Sequence, residues 1–293
     1  MDLKRKLVTV VLAVCLLASG MISCTNSKEK QQRIIDTFNS FTNAKEFVLI
    51  TNDDIRLGDT VIDRDRVQYE GTHCLFIFSE ADGTWAYANG GEGKVNIVFF
   101  EYETETATLV DSITVPGGAF AAEQYGGEFY FRADDPDTEE FKQIYYVYDP
   151  DTRETRTVGT DDLPIDIEKS GDHNRSSLYT IQSDMTSSME NKLIVTKKET
   201  GETKTVDSSI LKTCDEGQTI LSFTGHWNIS NSTTAYEKDG DIYVAYFYIT
   251  DGFLGAPCHI FIMKYDFDSH TAEYYTSVYY ELFPESIIDL YIP

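Results

Sequence analysis

From Phe47 to the end of the chain, apolar and polar positions alternate in short runs broken by Gly, Asp and Asn. A period of two places successive side chains on opposite faces and predicts β-strands. CLFIFSEADGTWAYANG (74–90), EQYGGEFYFRADD (123–135) and KDGDIYVAYFYITDG (238–252) each carry a DG or GG turn beside apolar runs, which is the hairpin signal. No long helical period follows residue 45. Before it, Ile34, Ile35 and Phe38 can share one face of a short helix around Glu29–Phe41.

The strand runs repeat. FFEYETETATLV (99–110), YYVYDPDTRETRTV (145–158), LIVTKKETGETKTV (193–206) and IMKYDFDSHTAEYY (262–275) superimpose on an apolar–apolar–x–Tyr–acid–x–acid–Thr skeleton followed by a second β run. In this alignment Tyr102, Tyr148, Thr196 and Tyr265 open the turn. Glu105, Asp151, Glu199 and Asp268 fill its fourth position, and Thr106, Thr152, Thr200 and Ser269 its fifth. An acid and a hydroxyl at such places accept hydrogen bonds from turn amides and let two strands reverse tightly. The openings lie 46, 48 and 69 residues apart. A four-stranded propeller blade takes about 40–50 residues. The last interval therefore holds either one blade with an insertion of about 20 residues or a further, degenerate blade.

These "YVYD…T" hairpins resemble the repeats of YVTN-like and quinoprotein-like β-propellers. The resemblance implies an all-β propeller over residues 46–293. At roughly 47 residues a blade, its length gives five four-stranded blades, or six if the blades are short. Phe47–Ile50 and Ile287–Ile292, the apolar runs at the two ends of the domain, are the candidates to close the ring in one shared blade. A two-sheet sandwich is the alternative, though it explains the repeated turn less well. Fold of this kind does not carry function with it.

The first 23 residues break the pattern. Lys4, Arg5 and Lys6 precede an apolar run, Leu7–Ala18, and then the small residues Ser19, Gly20 and Ser23 lead to Cys24. That is the grammar of a signal peptide, and the apolar run is short for a membrane span. Met21-Ile22-Ser23-Cys24 resembles the lipobox of bacterial lipoproteins, with Met21 where Leu is usual. The resemblance implies cleavage before Cys24, a diacylglyceryl group on its sulfur, and stable anchoring on the extracytoplasmic face of a membrane. Residues 24–45 then read as a lipidated tether.

Composition narrows the partners. The chain carries 49 acidic against 24 basic residues, a net charge of −25. Removing residues 1–23 makes the charge more negative still. Such a surface repels phosphate backbones, so nucleic acid is not an expected partner. The abundance of Tyr and Phe, 19 and 17 against two Trp, favours strands. With Cys15 cleaved off and Cys24 lipidated, Cys74, Cys214 and Cys258 remain, a poor disulfide framework that predicts mostly buried thiols.

Candidate chemistry is sparse. Asp134, Asp135, Asp137, Glu139 and Glu140 cluster but lack EF-hand spacing, so no metal site is assigned. SEADGTWAYA (79–88) fails the register of a sialidase Asp-box. The five histidines form no zinc spacing. The neighbours His73–Cys74 and Cys258–His259 point to opposite faces within a strand, so only a meeting of the two pairs across strands would bring a thiol to an imidazole. No nucleophile elbow, phosphate loop or cofactor motif is present. Trp85 is either core or a platform for sugar rings. Trp227, in TGHWNISNST (224–233) within the long interval, is the expected ligand contact, with Phe253 beside it; the alternative makes Trp227 core in a degenerate blade.

The expected function is a lipid-anchored binding or assembly platform for a protein, peptide or glycan. A glycan-active propeller enzyme using two carboxylates in the central funnel is the alternative, with no catalytic residue assignable from sequence. A purely structural envelope lipoprotein is the third reading.

Overall fold

A computed structural model of the chain describes residues 29, 32–33, 36–37, 40–41, 46–136, 142–164, 176, 178–184, 192–224, 229–249, 258–280 and 287–293. The chain divides into two units, Met1–Asn43 and Ala44–Pro293. In the first, residues 29, 32, 33, 36, 37 and 40 are helical, and Gln32 Nε2 donates to Asp36 Oδ1 one turn on at 2.9 Å.

The second unit is a five-bladed β-propeller, built from antiparallel sheets set radially in a ring. Sheet one joins β21 (Ile287–Tyr291) to β1 (Val48–Thr51), β2 (Asp54–Leu57) and β3 (Thr60–Asp63). After a small ribbon of β4 (Gln68–Tyr69) and β5 (Thr72–His73), sheet two runs β6 (Leu75–Ser79), β7 (Gly83–Asn89), β8 (Lys94–Glu101), β9 (Thr106–Thr114). Sheet three runs β10 (Ala121–Tyr125), β11 (Glu128–Asp134), β12 (Gln143–Asp149), β13 (Glu154–Gly159). Sheet four shows three strands among the described residues, β14 (Tyr179–Asp184), β15 (Lys192–Lys197) and β16 (Thr203–Val206). Sheet five runs β17 (Ile229–Lys238), β18 (Asp241–Ile249), β19 (Cys258–Asp266), β20 (Thr271–Tyr280). β21 touches both β17 and β6, and β6 touches β10, which places these strands innermost. The ring closes as the terminal apolar runs predict: Val48 pairs with Tyr291 and Leu49 with Leu290.

Both faces of each sheet are buried, so the core is a set of inter-sheet layers. Along β1, Phe47 and Leu49 pack toward sheet five with Ile260 and Leu290, whereas Val48 and Ile50 pack toward sheet two with Phe76 and Val98. Gly83 opens β7 where no side chain fits: a Cβ there would lie 2.4 Å from the Phe99 ring and 2.5 Å from the Phe100 carbonyl.

The four repeated turns all join the last two strands of their sheets, but the first repeat is registered differently from the sequence alignment. The strands end at Glu101, Asp149, Lys197 and Asp266, so the spacings are 48, 48 and 69. Tyr148 and Tyr265 are thereby matched by Phe100, not Tyr102, and all three are fully buried. A slip of two residues keeps every side chain on its own face, so alternation cannot detect it. In three of the four turns the acid that works is the last strand residue; in the turn after Lys197, Thr200 Oγ1 accepts from Glu202 N at 3.2 Å instead. Asp149 Oδ1 accepts from the amides of Asp151 (2.9 Å) and Thr152 (3.3 Å), and Asp266 Oδ1 from that of Ser269 (2.6 Å). Glu101 Oε2 likewise accepts from Thr104 Oγ1 at 2.7 Å. The matching position before the next strand has positive φ in Glu105, Arg153, Gly201 and His270.

The absence of helix beyond residue 45 is also corrected. A 3-10 turn, Ser208–Thr213, leads into a helix, Asp215–Thr224. This is the insertion inside the 69-residue interval, and it packs on β20, where Thr213 Oγ1 accepts from Ala272 N at 2.8 Å. The helix has no conventional cap: the Cys214 thiol accepts from Gly217 N at 3.4 Å. Cys214 thus holds the cap position, where Ser, Thr, Asp or Asn is usual. Gly217 is obligatory, since a Cβ would meet the Leu211 carbonyl at 2.1 Å.

The register finding has a direct test. Asp149→Ala is expected to lower stability by about 1 kcal/mol, the net worth of a lost turn hydrogen bond. Asp151→Ala, at an exposed position that only donates its amide, should change it by less than about 0.5 kcal/mol. Urea unfolding midpoints compare the two.

Candidate functional site

Strand direction divides the connectors between the two ends of the ring. At one end lie the repeated turns and tight links such as Gly126-Gly127 and Asp239-Gly240. At the other, the strands that are joined by links between sheets and between middle strands begin or end, and these links range in sequence from the two residues 52–53 to the long 207–228. Loops of varied length on a rigid scaffold are where binding residues concentrate.

Three carboxylates stand on β6, β10, β17 and β21, the described strands at the axis. Asp289 is buried and its Oδ2 accepts from Ser79 N at 2.7 Å, tying the closing strand to sheet two. Glu237 accepts from Gly240 N at 2.8 Å and from Ser176 Oγ at 3.1 Å. Both hold neighbouring segments in place. Glu123 on β10 is different. Antiparallel register puts it on the same face of sheet three as Arg132 of β11, which stands between Ala121 of β10 and Tyr145 of β12. Burial raises the Glu123 carboxyl above its usual range, and the nearby Arg132 charge partly offsets this. Arg132 Nε is buried without a hydrogen-bond partner, and its guanidinium lies over the Phe120 ring, 5.0 Å from the centroid. Phe120 is itself 45% exposed.

A second polar group sits where sheets one and five meet. Asp54 Oδ1 accepts from Thr51 Oγ1 (2.9 Å) and from Tyr280 OH (3.0 Å), while Oδ2 accepts from Arg56 Nε (2.6 Å). The Arg56 guanidinium also covers the Tyr280 ring at 4.4 Å. Burial and the Asp54 charge hold the Tyr280 hydroxyl protonated. Every partner faces another within the group, so the arrangement is a clamp between blades.

The expected ligand contacts Trp227 and Phe253, and the lipidation residue Cys24, lie outside the described residues. So do Asp137, Glu139 and Glu140. Asp134 is exposed at the end of β11, and among the described residues no group of His, Cys, Asp and Glu could hold a metal ion. Trp85 belongs to the layer between sheets two and three, packed on Phe78, Phe99 and Phe129. The two Cys–His pairs do not share a layer: Cys74 packs between sheets one and two, Cys258 between sheets five and one. All three described cysteines are free. Burial pushes the Cys74 thiol up to about 11 and Cys258 to about 12, which keeps both from acting as thiolates. Phe120, Glu123 and Arg132 were not singled out by sequence patterning. The one available signal was a lone arginine inside the otherwise apolar run FYFRA, beside the PGGAF turn.

No family model matches the chain, and no curated protein sequence matches it. Among solved structures it is similar to TolB from Acinetobacter baumannii, at 11% identity and a TM-score of 0.29, over 80% of this chain and 66% of that one. It is also similar to AtxE2 isopeptidase in its apo form, at 11% identity and 0.30, over 77% and 40%. A third similarity is to a 6-phosphogluconolactonase-like protein from Bacteroides fragilis, at 10% identity and 0.27, over 86% and 99%. The chain thus spans less than two thirds of the length of the first two. Likenesses at this level say nothing of what this chain binds or converts.

Two outcomes follow from the geometry. Asp54→Ala strands a partly buried arginine and a buried tyrosine hydroxyl, and is expected to destabilise by about 3 kcal/mol in urea unfolding. His259 on β19 is 3% exposed, and burial lowers its pKa to about 4 from the usual 6.5. The unfolded chain takes up a proton near pH 6.5 while the folded chain resists until about 4. Stability from this group is therefore full above pH 6.5 and falls as the pH drops toward 4, by about 3 kcal/mol. Between pH 7.5 and 4.5, His259→Gln should lose about 2–3 kcal/mol less stability than the parent chain.

Proposed function

We propose that this chain is a lipid-anchored β-propeller of the extracytoplasmic side of a bacterial membrane, working as a binding or assembly platform for a protein, peptide or glycan. The reading starts from the signal-peptide grammar of residues 1–23 and the lipobox-like Met21–Cys24, which supply the anchor. The observation that carries the platform role is the closed ring itself: one end of short turns and one end whose connectors range from two residues to more than twenty. A rigid ring with diversified loops at one end presents a surface without needing chemistry at its axis. Two of the three carboxylates on the described inner strands accept from backbone amides of adjoining segments, which suits a scaffold role.

A screen of glycan, peptide and envelope-protein ligands against the full chain, run beside a panel of glycoside and peptide substrates, tests the platform role. Saturable binding without turnover supports it; turnover lost on removing an inner-strand carboxylate would replace it with the enzyme reading. For the anchor, Cys24→Ala is expected to leave an unprocessed precursor that incorporates no labelled fatty acid. Label persisting in that variant defeats the lipid reading.

A further inference from the structure

Sheet three treats two pairs of opposite charges on one face in different ways. Toward its tight-turn end, Glu128 is gripped by Arg156 through two guanidinium nitrogens, one at 2.7 Å, and by Tyr130 OH at 3.1 Å. Toward its long-connector end, Glu123 and Arg132 sense each other's charge without an ion pair among the described residues. On β10 the residue opposite Arg132 is the small Ala121, two positions from Glu123 on the same face, so no side chain of that strand stands between the two charges. A buried donor left without a partner costs about 1–3 kcal/mol, and a protein does not retain one at random. Beside this pair stands a large exposed ring, Phe120, held by its own amide to the Arg132 carbonyl at 3.0 Å.

We propose that Phe120, Glu123 and Arg132 form a subsite for a sugar residue of a glycan, deepening and resting on the platform reading. A carboxylate that accepts and a guanidinium that donates, spaced apart on one sheet face, match vicinal hydroxyls, each of which does both. The Phe120 ring offers a flat apolar face for the C–H side of the sugar. The ligand is neutral: Glu123 already balances the Arg132 charge, and the chain's charge of −25 opposes the approach of an anion. Asp134, next on the same face and exposed, adds an acceptor at the rim.

Saturation-transfer NMR on the full chain, with the methyl glycosides of glucose, galactose, mannose and N-acetylglucosamine, tests the subsite. Sodium benzoate serves as the anionic comparison. At least one glycoside is expected to bind, with affinity reduced tenfold or more in Phe120→Ala, Glu123→Gln and Arg132→Gln. Arg156→Gln, which breaks the other ion pair on that face, should bind as the parent does. Phe120→Ala keeps the test open if a charge variant fails to fold, because its ring is largely outside the core. Absence of any glycoside signal, unchanged affinity in Phe120→Ala and Arg132→Gln, or benzoate bound ahead of every glycoside overturns the proposal. A protein or peptide ligand that binds all these variants equally would sink the subsite and leave the platform standing.

Discussion

The pairing of β1 with β21 is the contact on which the rest depends. A ring of sheets buries both faces of every sheet only if first and last sheets meet. Here the last strand enters the first sheet, with Leu49 and Leu290 opposite each other and both fully buried. Bringing together strands separated by almost the whole domain costs about 5 kcal/mol in loop entropy beyond a constant. The return is distributed: Ile287, Leu290 and Ile292 join the layer toward sheet five, and Asp289 reaches across to the Ser79 amide of sheet two. The closing strand therefore fixes both neighbours of sheet one at once.

Closure also explains where charge and aromatic residues go. With both faces buried, only outer strands, turns and connectors face water. β13 is exposed at nearly every position, whereas β19 is buried from Cys258 to Met263. The acids accordingly gather at the repeated turns. Large rings fill wedge-shaped gaps between blades that diverge outward, and their polar tips then need partners at depth. Tyr148 OH donates to Asp111 of the preceding sheet at 2.9 Å, and Lys204 Nζ donates to the Phe267 carbonyl of the next at 2.7 Å. Such ties couple neighbouring blades where packing alone would let them slide.

What was legible in the sequence followed from periodicity. The closing runs, the hairpins and the number of blades all rest on period-two alternation and on repeat spacing near 48, signals that survive divergence because burial enforces them. Three features were not legible for identifiable reasons. The first repeat was aligned two residues out, on Tyr102, since a two-residue slip conserves the faces. The helix at 215–224 was missed because a thiol stands at its cap and, among the side chains described, Ile220 is the one large residue fully buried. The Glu123–Arg132 pair was missed because facing across strands depends on register, and the sequence shows the two residues only as members of separate runs.

The unequal ends of the ring give the site its setting. At the tight-turn end, left-handed residues and acid–amide bonds leave little freedom to vary without loss of the reversal itself. The opposite end carries connectors whose length changes from blade to blade, and it is there that Phe120 stands at the entry to β10 and Arg132 near the exit of β11. The strands that Trp227 and Phe253 link, β17 with its helix and β18 with β19, begin or end on this same side. A partner approaching from the tight-turn end would meet a rim of acids, Asp151 and Asp268 among them. From the other end it meets an aromatic ring beside an arginine in an otherwise acidic molecule. The proposed subsite therefore owes its place at one end to the same alternation of strand direction that builds the fold.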